Sequence, residues 1–329
     1  MVGMVRLPLQ GGLPPVEAVA GAVVEIACDE SGFSGTNLLD PATPVIAHAS
    51  VDLRIGEAVE LIAALRSGFR FSPNEFKSGQ FLRGPKAGEA LAWFLAELRG
   101  RAQVHLVDKE YFLVTRIVDL LVAEPSYAAG TRLTRDHRPA ALAVYRAGRS
   151  AGGDWGVFLA AFVEMVRIKR RHRPDRRALE RFFQARDALV RNGFAAPAEE
   201  VLAALRPPRV WDFLTRLGDG DRSIPPPLEP LLPALAETVL HWSAGGRRVL
   251  VIHDEQSALT AGRLSRLQQV LAAGAAPSPF VGLVMVDSRD DQRVQVADLL
   301  AGVARRLPRF VDDGPLLSPT SLRDSQGGR

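Results

Sequence analysis

Cysteine is almost missing from this chain: Cys28 is the only one in 329 residues. That count excludes an intramolecular disulfide framework and any Cys-rich zinc module. Cys28 itself, inside a β-branched run, reads as a small buried strand residue rather than a reactive thiol. Long apolar runs are missing too, and no segment approaches the about 20 apolar residues that a membrane helix requires. Gly and Pro interrupt the opening Met1-Val2-Gly3-Met4-Val5-Arg6-Leu7-Pro8, so no apolar core of secretory type forms and a cytoplasmic protein is expected. There is no G-x-x-x-x-G-K-[ST] loop, no G-x-G-x-x-G after a strand and no G-x-S-x-G elbow, which removes the usual fingerprints of mononucleotide, dinucleotide and α/β-hydrolase sites. The pairs Asp136/His137 and Arg171/His172 lack metal-ligand spacing. No internal repeat is evident.

What is present is ordinary in bulk and particular in pattern. Hydrophobic content of 47% and charged content of 24% suit a globular protein, and a net charge of +4 permits an anionic partner without demanding one. Strands are predicted over 23–29, 45–51, 103–107, 248–252 and 281–286, the second of them antiparallel to the first. Helical periodicity covers 56–66, 87–99, 234–242, 260–272 and 293–306. Between the third and fourth strands the pattern is helical only, ending in a Gly/Pro-rich joint at 218–227. The organisation read from this is a leader over 1–20, an α/β domain formed by 21–119 and 233–312, a helical insertion over 120–232 and a polar tail over 313–329.

One device recurs: an apolar strand that stops at an acid, at Asp29, Asp108, Asp254 and Asp287. Asp at a strand end often serves turn chemistry alone. Four occurrences invite a second reading, because the ends of parallel strands gather at one edge of an open sheet. Carboxylates collected there repel one another unless a divalent cation holds them, and oxygen-only ligands suit Mg²⁺ or Mn²⁺ rather than zinc. The last helix sharpens the pattern. Its non-apolar positions Gln295, Asp298, Gly302 and Arg305 are spaced by three, four and three, a narrow stripe on an otherwise apolar cylinder. A buried Asp298 needs a cation or hydrogen-bond donors. On an extended strand Asp29 and Glu30 point to opposite faces, so only one of them reaches a shared site.

The chain resembles the bacterial domain-of-unknown-function 3800 family, of ribonuclease H-like (retroviral integrase-like) nuclease fold. The resemblance rests on Asp29-Glu30-Ser31-Gly32 after a strand, Glu75-Phe76-Lys77 after the first helix and Val107-Asp108-Lys109 at a strand end. It continues in Ile252-His253-Asp254-Glu255, and in Asp287-Ser288 followed by Gln295-Val296-Ala297-Asp298-Leu299-Leu300-Ala301-Gly302. These pieces lie within 23–111 and 247–306. The connection Phe33-Ser34-Gly35-Thr36-Asn37 onward is longer than the pattern leads one to expect, and the helical insertion matches nothing in it.

The resemblance implies a mixed sheet flanked by helices, with acids from the first strand, a neighbouring strand and the last helix binding metal. Asp29 and Asp298 are then metal ligands and catalytic residues. Asp254 is the third, with Asp108 as its competitor, since the sequence does not say which strand lies beside the first. Glu30, Glu75 and Glu255 are lesser candidates. It implies phosphodiester hydrolysis by two cations about 4 Å apart, on DNA or RNA, in defence against foreign nucleic acid; the alternative is a non-catalytic binding member of the same fold. Lys77 either neutralises a phosphate or is a solvated lysine beside a turn, and Lys109 carries the same two readings. His253 reads as a hydrogen-bonded strand histidine or as a ligand. The basic stretch 167–186, with Lys169, Arg170, Arg171, Arg173, Arg176 and Arg177, reads as a phosphate-tracking surface or as a charged helix face.

Overall fold

The computed structural model describes residues 11–15, 22–35, 37–69, 78–167, 173–194, 196–244, 246–272 and 277–307. Five strands and the helices between them follow in the order β1 (Val23–Ser31), β2 (Val45–Val51), α1 (Ile55–Phe69), α2 (Ser78–Phe81), α3 (Ala87–Glu97), β3 (Ala102–Asp108) and α4 (Lys109–Ile117). Next come α5 (Arg138–Ser150), α6 (Gly153–Val166), α7 (Arg176–Arg191), α8 (Ala198–Ala203), α9 (Pro207–Gly218) and α10 (Leu231–Trp242). The chain then adds β4 (Arg248–Asp254), α11 (Ala261–Leu271), β5 (Phe280–Val286) and α12 (Gln292–Arg306). Among the described residues no helix is long and apolar enough to cross a membrane.

The chain divides into two compact units. The first comprises Met1–Gly32, Ile46–Leu106 and Ala234–Arg329; the second comprises Phe33–Val45 and Val107–Pro233. The second therefore begins earlier than the position 120 read from the sequence, because α4 continues directly from β3 without a linker. It also takes in the connection between β1 and β2, which the sequence had assigned to the α/β domain. Lys109, fully buried, clasps that connection by donating to the Asn37 carbonyl and to Thr43 Oγ1, each at 2.9 Å.

The first unit is an α/β layer structure around a mixed sheet of order β3-β2-β1-β4-β5. β1 pairs antiparallel with β2 and parallel with β4, and β4 pairs parallel with β5. Alternation divides the side chains of β1 between the two faces. Ala27, Ala47, Ala49, Val51 and Ile252 meet α1, α2, α3 and α12 in the main apolar core. In α1 the buried residues Ala58, Leu61, Ile62 and Leu65 recur at helical spacing, as an amphipathic helix on a sheet requires. The other face lies under α10: Thr238 Oγ1 is 3.0 Å from His48 Nδ1, and Trp242 Nε1 donates to Ser50 Oγ at 2.8 Å.

α12 is largely enclosed. Val294, Val296, Leu299, Leu300 and Val303 are buried, and burial of each such side chain contributes about 1.5–3 kcal/mol. Asp291 caps its N-terminus by accepting from Arg293 N at 2.9 Å. The helix runs along β1 in the same direction, because Arg293 bonds Glu25 near its start and Arg305 bonds Ser31 near its end. The pitch matches: six strand steps cover about 20 Å and twelve helix steps about 18 Å.

The second unit is helical. Its buried polar centre is Asp119, just after α4, which accepts from Gly130 N at 2.6 Å, His137 Nδ1 at 2.7 Å and Thr134 Oγ1 at 3.2 Å. Asp119→Ala would remove the acceptor of the Gly130 amide and the shared partner of His137 and Thr134, and we expect a loss of about 2–4 kcal/mol in urea unfolding. His137→Ala should cost clearly less, because the imidazole is 39% exposed and water can replace it for the carboxylate. Equal losses for the two variants would refute this picture of Asp119 as the hub.

Candidate functional site

β1 ends where its last inward acid sits. Val23, Val24 and Ile26 favour the extended backbone, and Gly32, at φ +101°, terminates it in a conformation that L side chains rarely adopt. Asp29 faces α12 and is 7% exposed, with Oδ1 accepting from Glu30 N at 2.7 Å. β4 lies alongside in parallel, and the pair Cys28↔His253 places Asp29 and Asp254 at the same level on the same face. Asp254 Oδ1 accepts from Ser288 N at 3.0 Å, in the loop that leads into α12. Gln295, on the first turn of α12, donates to the Ser288 carbonyl at 2.8 Å and holds the other side of that loop.

The stripe on α12 is visible in its burial. Gln295, Asp298 and Arg305 are half-buried where the apolar positions around them are closed. Asp298 faces the end of β1, and Asp29 reports the arrangement. Its carboxyl is held well above the ordinary carboxylate range, first by burial, then by the negative charges of Glu30, Asp298 and Asp254. Its bond from the Glu30 amide works in the opposite direction and does not win. Three acids from β1, β4 and α12 are thus brought together.

The set is chemically suited to a hard divalent cation, being all carboxylate oxygen. It is not a finished cage: among the described residues no three His, Cys, Asp or Glu side chains stand close enough to enclose an ion. The two observations agree once range is considered, since carboxylates repel over longer distances than a single coordination shell spans. Cys28, beside them, is fully buried, and burial followed by the Asp29 charge pushes its thiol up and keeps it inert.

The remaining sequence candidates fall elsewhere. Asp108 does not join the acids: β3 is separated from β1 by β2, and the side chain caps α4 through Tyr111 N at 2.8 Å and accepts from the Tyr145 hydroxyl at 2.9 Å. Burial, then the charge of Asp108 and that bond, push the Tyr145 phenol up to about 12. Asp108, Tyr145 and Arg149 line a cavity of about 320 Å³ in the second unit. Lys109, read from sequence as a possible phosphate partner, is consumed by the clasp described above. Glu255 is exposed. Glu75, Lys77, Lys169, Arg170 and Arg171 lie outside the described residues. Arg173, Arg176 and Arg177 are exposed around the start of α7, where Arg176 lies 5.3 Å from the centroid of the Trp211 ring.

Glu30 turns to the opposite face, as alternation requires. Gln256 donates to its Oε1 at 2.6 Å, and its Oε2 lies 3.8 Å from Nε2 of His253. His253 stacks on His48 with centroids 5.5 Å apart and bonds the Asp254 carbonyl through Nδ1 at 2.9 Å. The sequence reading missed this polar layer under the sheet. Its signal was the alternation of His48 and Ser50 with alanines along β2, the positions that face Glu30 and Cys28.

No family model, curated protein or solved structure matches the chain.

Proposed function

We propose that this protein is a Mg²⁺- or Mn²⁺-dependent phosphodiesterase acting on DNA or RNA, with its α/β unit a ribonuclease H-like nuclease domain. One observation carries the reading: Asp29 of β1 is buried where Asp298 of α12 and Asp254 of β4 add, after burial itself and the charge of Glu30, to what raises its carboxyl above the ordinary range. Structural economy alone does not explain a buried acid surrounded by acids, because an unpaired buried carboxylate is costly. Functional sites are where such costs are tolerated.

In this reading Asp29, Asp254 and Asp298 hold the cation, with Asp29 central to the group. The bound ion supplies Lewis acidity toward a phosphoryl oxygen and an acidified water. The chain's own contribution is placement. The Ser288 amide fixes Asp254, Gln295 steadies the loop that carries Ser288, and the apolar shell of α12 keeps bulk water from the inner side of Asp29. Glu30 is not a ligand; it anchors the strand end through Gln256. In the second unit, taken by itself, the exposed arginines at the start of α7 give a positive face suited to a polyanion.

The test is cleavage of labelled DNA and RNA oligonucleotides with Mg²⁺ or Mn²⁺, compared with EDTA and with Asp29→Asn and Asp298→Asn. We expect chelation to stop cleavage and each variant to slow it by about 1,000-fold, about 4 kcal/mol of barrier. Cleavage that survives all three would overturn the proposal. A non-catalytic nucleic-acid- or protein-binding role is the second reading, favoured by the unclosed cage. It gains if calorimetry finds no Mn²⁺ binding to the wild-type chain.

A further inference from the structure

α12 carries three arginines, and their surroundings differ. Arg293 is engaged by two carboxylates: it bonds Glu25 and takes Asp291 through Nε at 3.0 Å and Nη2 at 2.6 Å. Arg306 is exposed, its guanidinium lying against Gly79. Arg305 is half-buried, yet among the described residues its guanidinium makes one hydrogen bond, from Nε to the neutral Ser31 hydroxyl at 3.0 Å. No carboxylate among the described residues pairs with it. Its charge is opposed by burial and by the like charge of Arg306.

Its position is specific. Ser31 follows Asp29 by two residues on β1, so both project from the same face, about 7 Å apart along the strand. Arg305 follows Asp298 by seven residues on α12, two turns on, and so occupies the same stripe. Helical side chains lean toward the N-terminus, and the guanidinium meets Ser31 at the end of β1, one strand period beyond Asp29. An Arg kept only for the helix dipole needs no burial. A half-buried guanidinium that presents both terminal nitrogens without an acid partner is a fork shaped for a phosphate.

We propose that Arg305, oriented by Ser31, binds a backbone phosphate of the substrate strand next to the carboxylate group. The proposal rests on the phosphodiesterase reading and adds to it a substrate-binding residue and a direction: the strand passes the C-terminal end of β1. Ser31 is a positioning residue, acting through the guanidinium it holds.

The test uses the full chain with fluorescein-labelled DNA and RNA 12-mers, with binding measured by anisotropy in Ca²⁺ across a salt series and cleavage in Mn²⁺. Arg305→Met should weaken oligonucleotide binding about 10-fold or more and lower the salt slope by about one. KM should rise more than kcat falls, and Mn²⁺ affinity by calorimetry should stay unchanged. Arg305→Lys, which keeps the charge but not the fork, should fall between, and serves as the comparison if the Met variant fails to fold. Ser31→Ala should raise KM severalfold with the salt slope retained. Wild-type cleavage alongside a Met or Lys variant within twofold of it in Kd, KM and salt slope would overturn the role of Arg305 and leave the proposed function standing. Absence of Mn²⁺ binding and of cleavage in the wild type would overturn both.

Discussion

Asp29→Asn should raise the melting temperature of the metal-free protein at pH 7 and, under the proposed function, abolish any stabilisation by Mn²⁺. The sign follows from the direction of the shift. Burial and the charges of Glu30, Asp298 and Asp254 raise the Asp29 carboxyl above its unfolded value, so the folded state keeps a proton that the unfolded chain has already lost. The resulting stability is fully present below the unfolded carboxylate range and is lost as pH rises through the raised folded value. At neutral pH the wild type bears that cost and the Asn variant does not. A gain of about 1 kcal/mol corresponds to about 2–4 °C in a large domain. Melting curves from pH 4 to pH 8 in EDTA should show the two proteins converging at the acid end and separating above it. A wild type at least as stable as Asp29→Asn throughout would mean the carboxyl is not held up at all. Added Mn²⁺ should reverse the order, since a ligand stabilises only the state that binds it.

Gly302→Ala should destabilise the protein although Ala is the better helix former. A Cβ built at Gly302 would lie 2.1 Å from Ser78 Oγ and 2.5 Å from Ser78 Cβ, on the first residue of α2. The propensity gain is about 1 kcal/mol, while forcing a side chain into a filled contact costs about 1–3 kcal/mol. The contact is close on two atoms, so the net loss should be about 1–2 kcal/mol in urea unfolding. Ser78→Gly removes both atoms, and in the double variant most of the loss should return, giving a coupling of about 1 kcal/mol or more. Because Asp298 lies one turn before Gly302, the proposed cleavage should, if it occurs in the wild type, fall further in Gly302→Ala than its stability predicts. A single variant more stable than wild type would show that α2 yields freely.

The acids were legible in the sequence for a physical reason. A strand that ends in Asp and a helix with one charge on an apolar surface are both local patterns, and Asp29, Asp254 and Asp298 each announce themselves within a few residues. What stayed illegible was which of them meet. Asp108 carries the same strand-end signature as Asp254, and only the sheet order separates a helix cap from a member of the acid group. Pairing between Cys28 and His253 spans most of the chain, and nothing local encodes it. The β1–β2 connection looked like a long loop; its attachment through Lys109 to the second unit depends on a backbone carbonyl, Asn37 O, that no residue type signals. The polar layer of Glu30, His48 and His253 was signalled only along β2, where His48 and Ser50 alternate with alanines; β4, buried on both sides, shows no such alternation around His253. The fold's coarse class came from periodicity, and its pairing came from distance.

The parallel run of α12 along β1 has a consequence for synthesis. During translation β1 is made well before α12, the helix that completes its acid group. A nascent or prematurely terminated polypeptide lacking the final helix would carry Asp29 and Asp254 but no complete group. If the site cleaves nucleic acid, the ribosome-bound intermediate is harmless to the message that encodes it.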